Sequence, residues 1–84
     1  MECRKILFTR HCLQRMFQRR LLPREIEWVV RYGKIVGRRV RTGEEPSVLI
    51  DGQPAGRKLR VAVRKDRATG DCHVITAYDP DAMR

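Results

Sequence analysis

The stretch FTRHCLQRMFQRR, residues 8–20, places His11, Arg15 and Arg19 at four-residue steps. On a helix that step stacks side chains on one face, so an imidazole and two guanidinium groups stand in line. The set suits a phosphodiester. Imidazole titrates near neutral pH and can take or give a proton. A guanidinium forks onto two phosphate oxygens. The chemistry this predicts is metal-free RNA cleavage by 2′-hydroxyl attack, with His11 as acid or base and Arg15 and Arg19 clamping phosphate. The plainer reading is that His11 solvates the helix start while the arginines bind phosphate without turnover.

Composition narrows the partners. Lys and Arg number 19 against 10 acidic residues, a net charge of +9 spread along the chain. A compact body so charged repels itself unless something anionic sits on it, nucleic acid first and an acidic protein second. No apolar run approaches the roughly 20 residues of a membrane span, and MECRKILF is too short in apolar residues for a signal peptide. The expectation is one cytoplasmic domain over residues 1–84, with no membrane partner and no cofactor. Cys3, Cys12 and Cys72 make an odd count with no C-x-x-C spacing, so no disulfide framework is expected. The pairs His11-Cys12 and Cys72-His73 diverge on a helix or strand, which argues against a metal site and for Cys12 and Cys72 as small core residues.

The elements that must position these groups follow from periodicity. KILF (5–8) reads as a strand, and Thr9 as an N-cap of a helix over Arg10–Arg19 with Leu13, Met16 and Phe17 as its apolar stripe. LLPREIEWVVRYG gives a second helix. Pro23 opens it, Leu22, Ile26, Val29 and Val30 form its stripe, and Gly33 stops it in a left-handed cap. Strands are expected at 34–40, 47–50, 58–65 and 72–78, with turns at 42–46 and 66–70 and a tail after Tyr78. The class is α+β, ordered β-α-α-β-β-β-β, with two N-terminal helices on one face of a mainly antiparallel sheet.

The alternation in 58–64 leaves Lys58, Arg60 and Arg64 on the uncovered face, a surface fit for an RNA backbone. Strict strand parity puts Thr76 and Tyr78 on one face of the last strand and His73 on the other, unless a bulge intervenes. Trp28, opposite the second helix's stripe and beside Arg24 and Arg31, suits a partner contact.

These features together resemble a small bacterial family of unknown function: H-x-x-x-R-x-x-x-R at His11, Arg15 and Arg19, a hydrophobic helix ending in Gly33, GRKLRVAV at 56–63, and VITAYDPD at 74–81. That family is similar to the RelE/ParE/BrnT-type toxins, small basic proteins many of which cleave RNA or block translation and are silenced by an acidic antitoxin. The resemblance implies a RelE/ParE-like fold, RNA or the ribosome as target, and an acidic antitoxin as partner. It points to Thr76 and Tyr78 as hydroxyls that position phosphate or donate a proton. The family usually carries Gly after the second Arg and Ser or Thr before the second helix; Arg20 and Leu22 stand there instead. The reading is a toxin-like RNA-binding protein, a metal-independent ribonuclease or translation inhibitor: His11, Arg15 and Tyr78 in the chemistry, Arg19, Lys58, Arg60, Arg64 and Thr76 on the nucleic acid, Trp28 on a partner. The alternative is a non-catalytic basic module that binds nucleic acid or an acidic protein.

Overall fold

The computed structural model describes residues 1–40, 42, 43 and 45–82. Part of the expected turn at 42–46 (Glu44) and the end of the tail (Met83, Arg84) lie outside the described residues. The order is β1 (Ile6–Phe8), α1 (Arg10–Arg19), α2 (Pro23–Tyr32), β2 (Lys34–Arg39), β3 (Ser47–Gly52), a 3-10 turn at Pro54–Gly56, β4 (Leu59–Lys65) and β5 (Cys72–Tyr78). The strands form one mixed sheet in the order β1-β5-β4-β3-β2. β1 runs parallel to β5, and the other neighbours are antiparallel. This is an α+β fold with two helices on one sheet face.

The core lies between that face and the helices. Ile50, Leu59, Val61, Val63, Val74 and Ala77 meet Cys12, Met16, Ile26, Val29 and Val30. Each Val or Ile side chain so buried contributes about 1.5–3 kcal/mol.

α1 is rotated from the expected stripe. Cys12 and Met16 are buried, whereas Leu13 is half exposed and Phe17 is 89% exposed. Both ends of the helix are tied to β5, and those ties set the rotation. The Thr9 hydroxyl donates to the Ile75 carbonyl at 3.3 Å and accepts from the Cys12 N–H at 3.1 Å. At the far end the Arg19 guanidinium donates to the Ala77 carbonyl at 2.7 Å. Positions 12, 16 and 19 therefore face the sheet, and 13 and 17 turn to water. Leu22 is exposed too; α2 buries Ile26, Val29 and Val30.

The two unusual residues between the helices are accommodated differently. Arg20 adopts the left-handed conformation, φ 54° and ψ 43°, that glycine normally supplies at a helix end. Leu22 offers no side-chain cap, but the Glu25 carboxylate accepts from its N–H at 3.2 Å. Arg57 then binds both Glu25 carboxylate oxygens, at 3.0 and 3.2 Å, and the Arg20 carbonyl at 3.3 Å.

Gly33 is not a left-handed cap, since its φ is −73°. It is small because the chain is crowded there. A Cβ would stand 2.5 Å from the Val29 carbonyl oxygen and 2.6 Å from that of Asp51.

The expectation of no disulfide is corrected. Cys3 and Cys72, 69 residues apart in sequence, are bonded. The parallel pairing of Ile6 with Cys72 draws the N-terminal segment along β5 and brings the sulfurs together. Spacing in the sequence holds no trace of that contact. Cys12 is the free thiol and is buried.

Candidate nucleic-acid interface

The sheet face away from the helices carries the site. Its register fixes which side chains share it. Directly opposed residues of antiparallel strands point to the same side, so Asp51, Arg60 and Tyr78 make one row and Ser47, Arg64 and His73 another. Between them Leu49, Ala62 and Thr76 form a row of mostly small residues.

One irregularity decides this arrangement. Ala62 pairs with Thr76 and Val63 with Val74, so Ile75 is an extra residue in β5. The bulge flips the parity of the strand after Val74. Cys72 and Val74 are buried before it and Ala77 after it. His73, Thr76 and Tyr78 consequently share the open face, where strict alternation had separated His73 from the other two.

The charges on this face are unequal in freedom. The Arg60 guanidinium grips Asp51 with two bonds, 2.7 and 2.9 Å. That hydrogen bonding to Asp51 raises the pKa of Arg60, with Tyr78 a lesser contributor. Lys58 precedes β4 and pairs with Asp81 at 2.9 Å, and that hydrogen bond raises its pKa. Arg39 and Arg64 make no ion pair among the described residues. They line a groove of about 290 Å³ together with Thr9, Glu45, Ser47, Ala62, Ile75 and Thr76. Ala62 floors it, hydroxyls stand along it, and two cations border it. An adjoining cleft of about 340 Å³ shares Glu45 and Arg64 and adds Gly43, Asp66 and His73.

The other expected residues lie elsewhere. α1 covers the opposite face of the sheet, so exposed His11 and Arg15 belong to the helix layer. Arg15 donates to the Gln18 side chain at 3.5 Å. Arg19 closes the margin of β5 through Ala77. Thr9, at the start of α1, is where the helix layer touches the groove. Trp28 is half exposed on α2, its ring 5.7 Å from that of Tyr32. The sequence reading missed Arg39, Glu45 and Ser47, which reach the groove only through the β2–β3–β4 register.

The comparison with protein families decides the chain's affiliation. A family model described as a domain of unknown function (DUF4258) matches residues 8–79. The chain belongs to the DUF4258 family. The match runs from the last residue of β1 to just past Tyr78, so the groove, both helices and the bulge fall within the DUF4258 region. No curated protein and no solved structure matches the chain.

Among the described residues no three His, Cys, Asp or Glu side chains gather as a metal cage requires. No helix among them is long and apolar enough to cross a membrane. The Cys12 thiol is pushed up to about 11 by burial, against a smaller lowering by Arg19. A raised thiol pKa means the folded state resists deprotonation, so iodoacetamide at pH 7.5 is expected to leave Cys12 unmodified. Full alkylation on adding urea, read by intact mass, completes that prediction; rapid modification of the folded chain would contradict the buried placement.

Proposed function

We propose that this protein binds the phosphate backbone of RNA through its open sheet face, as a toxin of RelE/ParE-like type acting on RNA or the ribosome. The observation that carries the reading is the pair Arg39 and Arg64. They are cations without ion pairs among the described residues, and they border a groove furnished with the hydroxyls of Ser47 and Thr76. Guanidinium forks and hydroxyls recognise phosphate oxygens without reading bases. Lys58 and Arg60, already paired with aspartates, serve the margin of the surface. The net charge of +9 adds long-range attraction for a polyanion.

The test is single-stranded RNA binding across a salt series. For single strands, log affinity falls with log salt by about 0.7 per neutralised phosphate. Arg39→Ala with Arg64→Ala is expected to flatten the slope by about 1–1.5 and weaken binding about tenfold or more at low salt. Arg24→Ala with Arg31→Ala, on α2, should change little. Equal losses in the two double variants would assign binding to net charge rather than to this face.

A second reading has one specific observation in its favour. Leu13 and Phe17 form an exposed apolar ledge on α1, beside Gln14 and Gln18. Such a ledge on a basic protein suits an acidic partner, antitoxin or other, in a non-catalytic module. Trp28 offers a further contact on α2.

A further inference from the structure

We infer that the Cys3–Cys72 disulfide is a reversible redox site, opened by a dithiol and closed again by a small disulfide, that holds the open-face groove in order. For its consequence the inference rests on the RNA-binding reading above, and it adds a control to it. The bond ties the N-terminal segment to the first residue of β5.

A chain of contacts leads from the bond to the groove. The Arg4 N–H donates to the Gly70 carbonyl at 2.9 Å, and the Cys72 N–H donates to the Lys5 carbonyl at 2.8 Å. β1 then runs beside β5, with Ile6, Leu7 and Phe8 against Cys72, His73 and Val74. Thr9 follows at once. Its N–H donates to the Val74 carbonyl at 3.2 Å and its hydroxyl to the Ile75 carbonyl at 3.3 Å. Both carbonyls sit at the bulge that brings Thr76 to the side of His73. Thr9, Ile75 and Thr76 line the groove, and His73 lines the adjoining cleft. The edge strand that steadies the bulge is therefore pinned at its far end by the disulfide.

Without that pin the edge can open by itself. A short edge segment with few bonds opens at low free energy while the core stays folded. No residue of β1 belongs to the core cluster; Ile6 and Phe8 are partly buried against it. The two sulfurs also differ in access, since Cys72 is buried and Cys3 half-buried. Exposed Arg4 and Lys5 outnumber Glu2 beside Cys3, which favours the approach of an anionic thiolate. The third thiol, Cys12, stays buried and protonated and takes no part.

A thiolate of the dithiol attacks the Cys3 sulfur, and the Cys3–Cys72 bond breaks with its electrons going to the Cys72 sulfur. A mixed disulfide forms at Cys3. The second thiol of the reductant then attacks its own sulfur in that mixed disulfide and expels Cys3. Two electrons have passed: the dithiol ends as a disulfide, and its two protons end on Cys3 and Cys72. A small disulfide in excess runs the same exchange backward. In the reduced chain β1 loses its anchor and frays from the sheet edge. Thr9 then loosens from Val74 and Ile75, and the bulge no longer holds Thr76 at the groove.

The experiment uses the full chain, oxidised and after reduction by dithiothreitol, each state verified by intact mass. Amide exchange followed by NMR and binding of a 2′-O-methyl single-stranded RNA are measured on both. Reduction is expected to strip protection from β1, Thr9, Ile75 and Thr76 while β3 and α2 keep theirs. RNA affinity should fall about fivefold or more and return on reoxidation with a small disulfide. Cys3→Ser should behave as the reduced chain in both measurements and ignore dithiothreitol. A reduced chain that loses protection throughout overturns the inference, because the bond is then a staple of the whole fold. Unchanged exchange at Thr76, or unchanged affinity in a chain that binds RNA, overturns it too, as do thiols that stay reduced in excess small disulfide. RNA bound by neither form, with the exchange difference present, removes the RNA-binding reading and leaves the redox site standing.

Discussion

Gly33→Ala is expected to lower the stability of the chain by about 3 kcal/mol, the upper range for forcing extra volume into a packed site. The added methyl would stand 2.5 Å from the Val29 carbonyl oxygen, 2.6 Å from the Asp51 carbonyl oxygen and 2.7 Å from the Ile50 side chain. Two of the three are backbone atoms, so no rotamer change clears the clash. α2 must lift from β3 or the start of β2 must shift. The φ of −73° is open to any residue, so the whole effect is steric. Gly37→Ala is the internal control. Its nearest neighbour is the Leu49 side chain at 3.6 Å, an ordinary contact. Urea denaturation should therefore separate the two variants clearly. Equal midpoints would mean that α2 and β3 do not approach as described. A loss of this size matters in a chain of 84 residues, because domains are stable by only about 5–15 kcal/mol.

Arg57→Ala is expected to cost about 2 kcal/mol, less than the roughly 3–5 kcal/mol of a fully buried pair. The Glu25 side chain is 11% exposed and that of Arg57 40%. Removing the guanidinium strands a nearly buried carboxylate and frees the Arg20 carbonyl, which sits on a left-handed residue. The three contacts of Arg57 join the end of α1, the start of α2 and the loop before β4, so the loss reaches both helices. Replacing the pair together, Glu25→Leu with Arg57→Met, should recover much of the loss, because no buried charge remains unpaired. If the double variant is as unstable as Arg57→Ala, the guanidinium contributes by packing rather than by charge.

Both effects arise at positions where the sequence shows something special without saying what. Gly33 reads as a stop signal, and a stop is what it makes, but the reason is crowding from Asp51 on a distant strand. Arg20 and Leu22 read as departures from a usual turn. The compensating Arg57 lies 37 residues from Arg20, beyond any local pattern. The elements themselves were legible because their signals are local. Alternation of Leu59, Val61 and Val63 marks β4, Thr9 caps α1, and Pro23 opens α2. The uncovered basic face followed from counting two helices against one sheet.

The rest was set by tertiary contacts. Leu13 and Phe17 satisfy helical spacing as well as Cys12 does, and only the ties of Thr9 and Arg19 to β5 choose between the stripes. The bulge at Ile75 falls in ITAY, with no glycine or proline to announce it, yet it moves Thr76 and Tyr78 to the side of His73. Of Lys58, Arg60 and Arg64, alternation could not tell that two would meet aspartates and one would not. The disulfide between Cys3 and Cys72 depends on a parallel pairing of three residues at the sheet edge.

The central claim is that the open face holds RNA. The most direct test is amide chemical-shift mapping of the isotope-labelled chain titrated with a single-stranded RNA that carries 2′-O-methyl groups and cannot be cleaved. The account predicts the largest shifts at Arg39, Ser47, Arg64, His73 and Thr76, with α2 nearly silent. Shifts concentrated on the exposed surface of α1, around His11, Arg15 and Phe17, would contradict it and return the site to the helix.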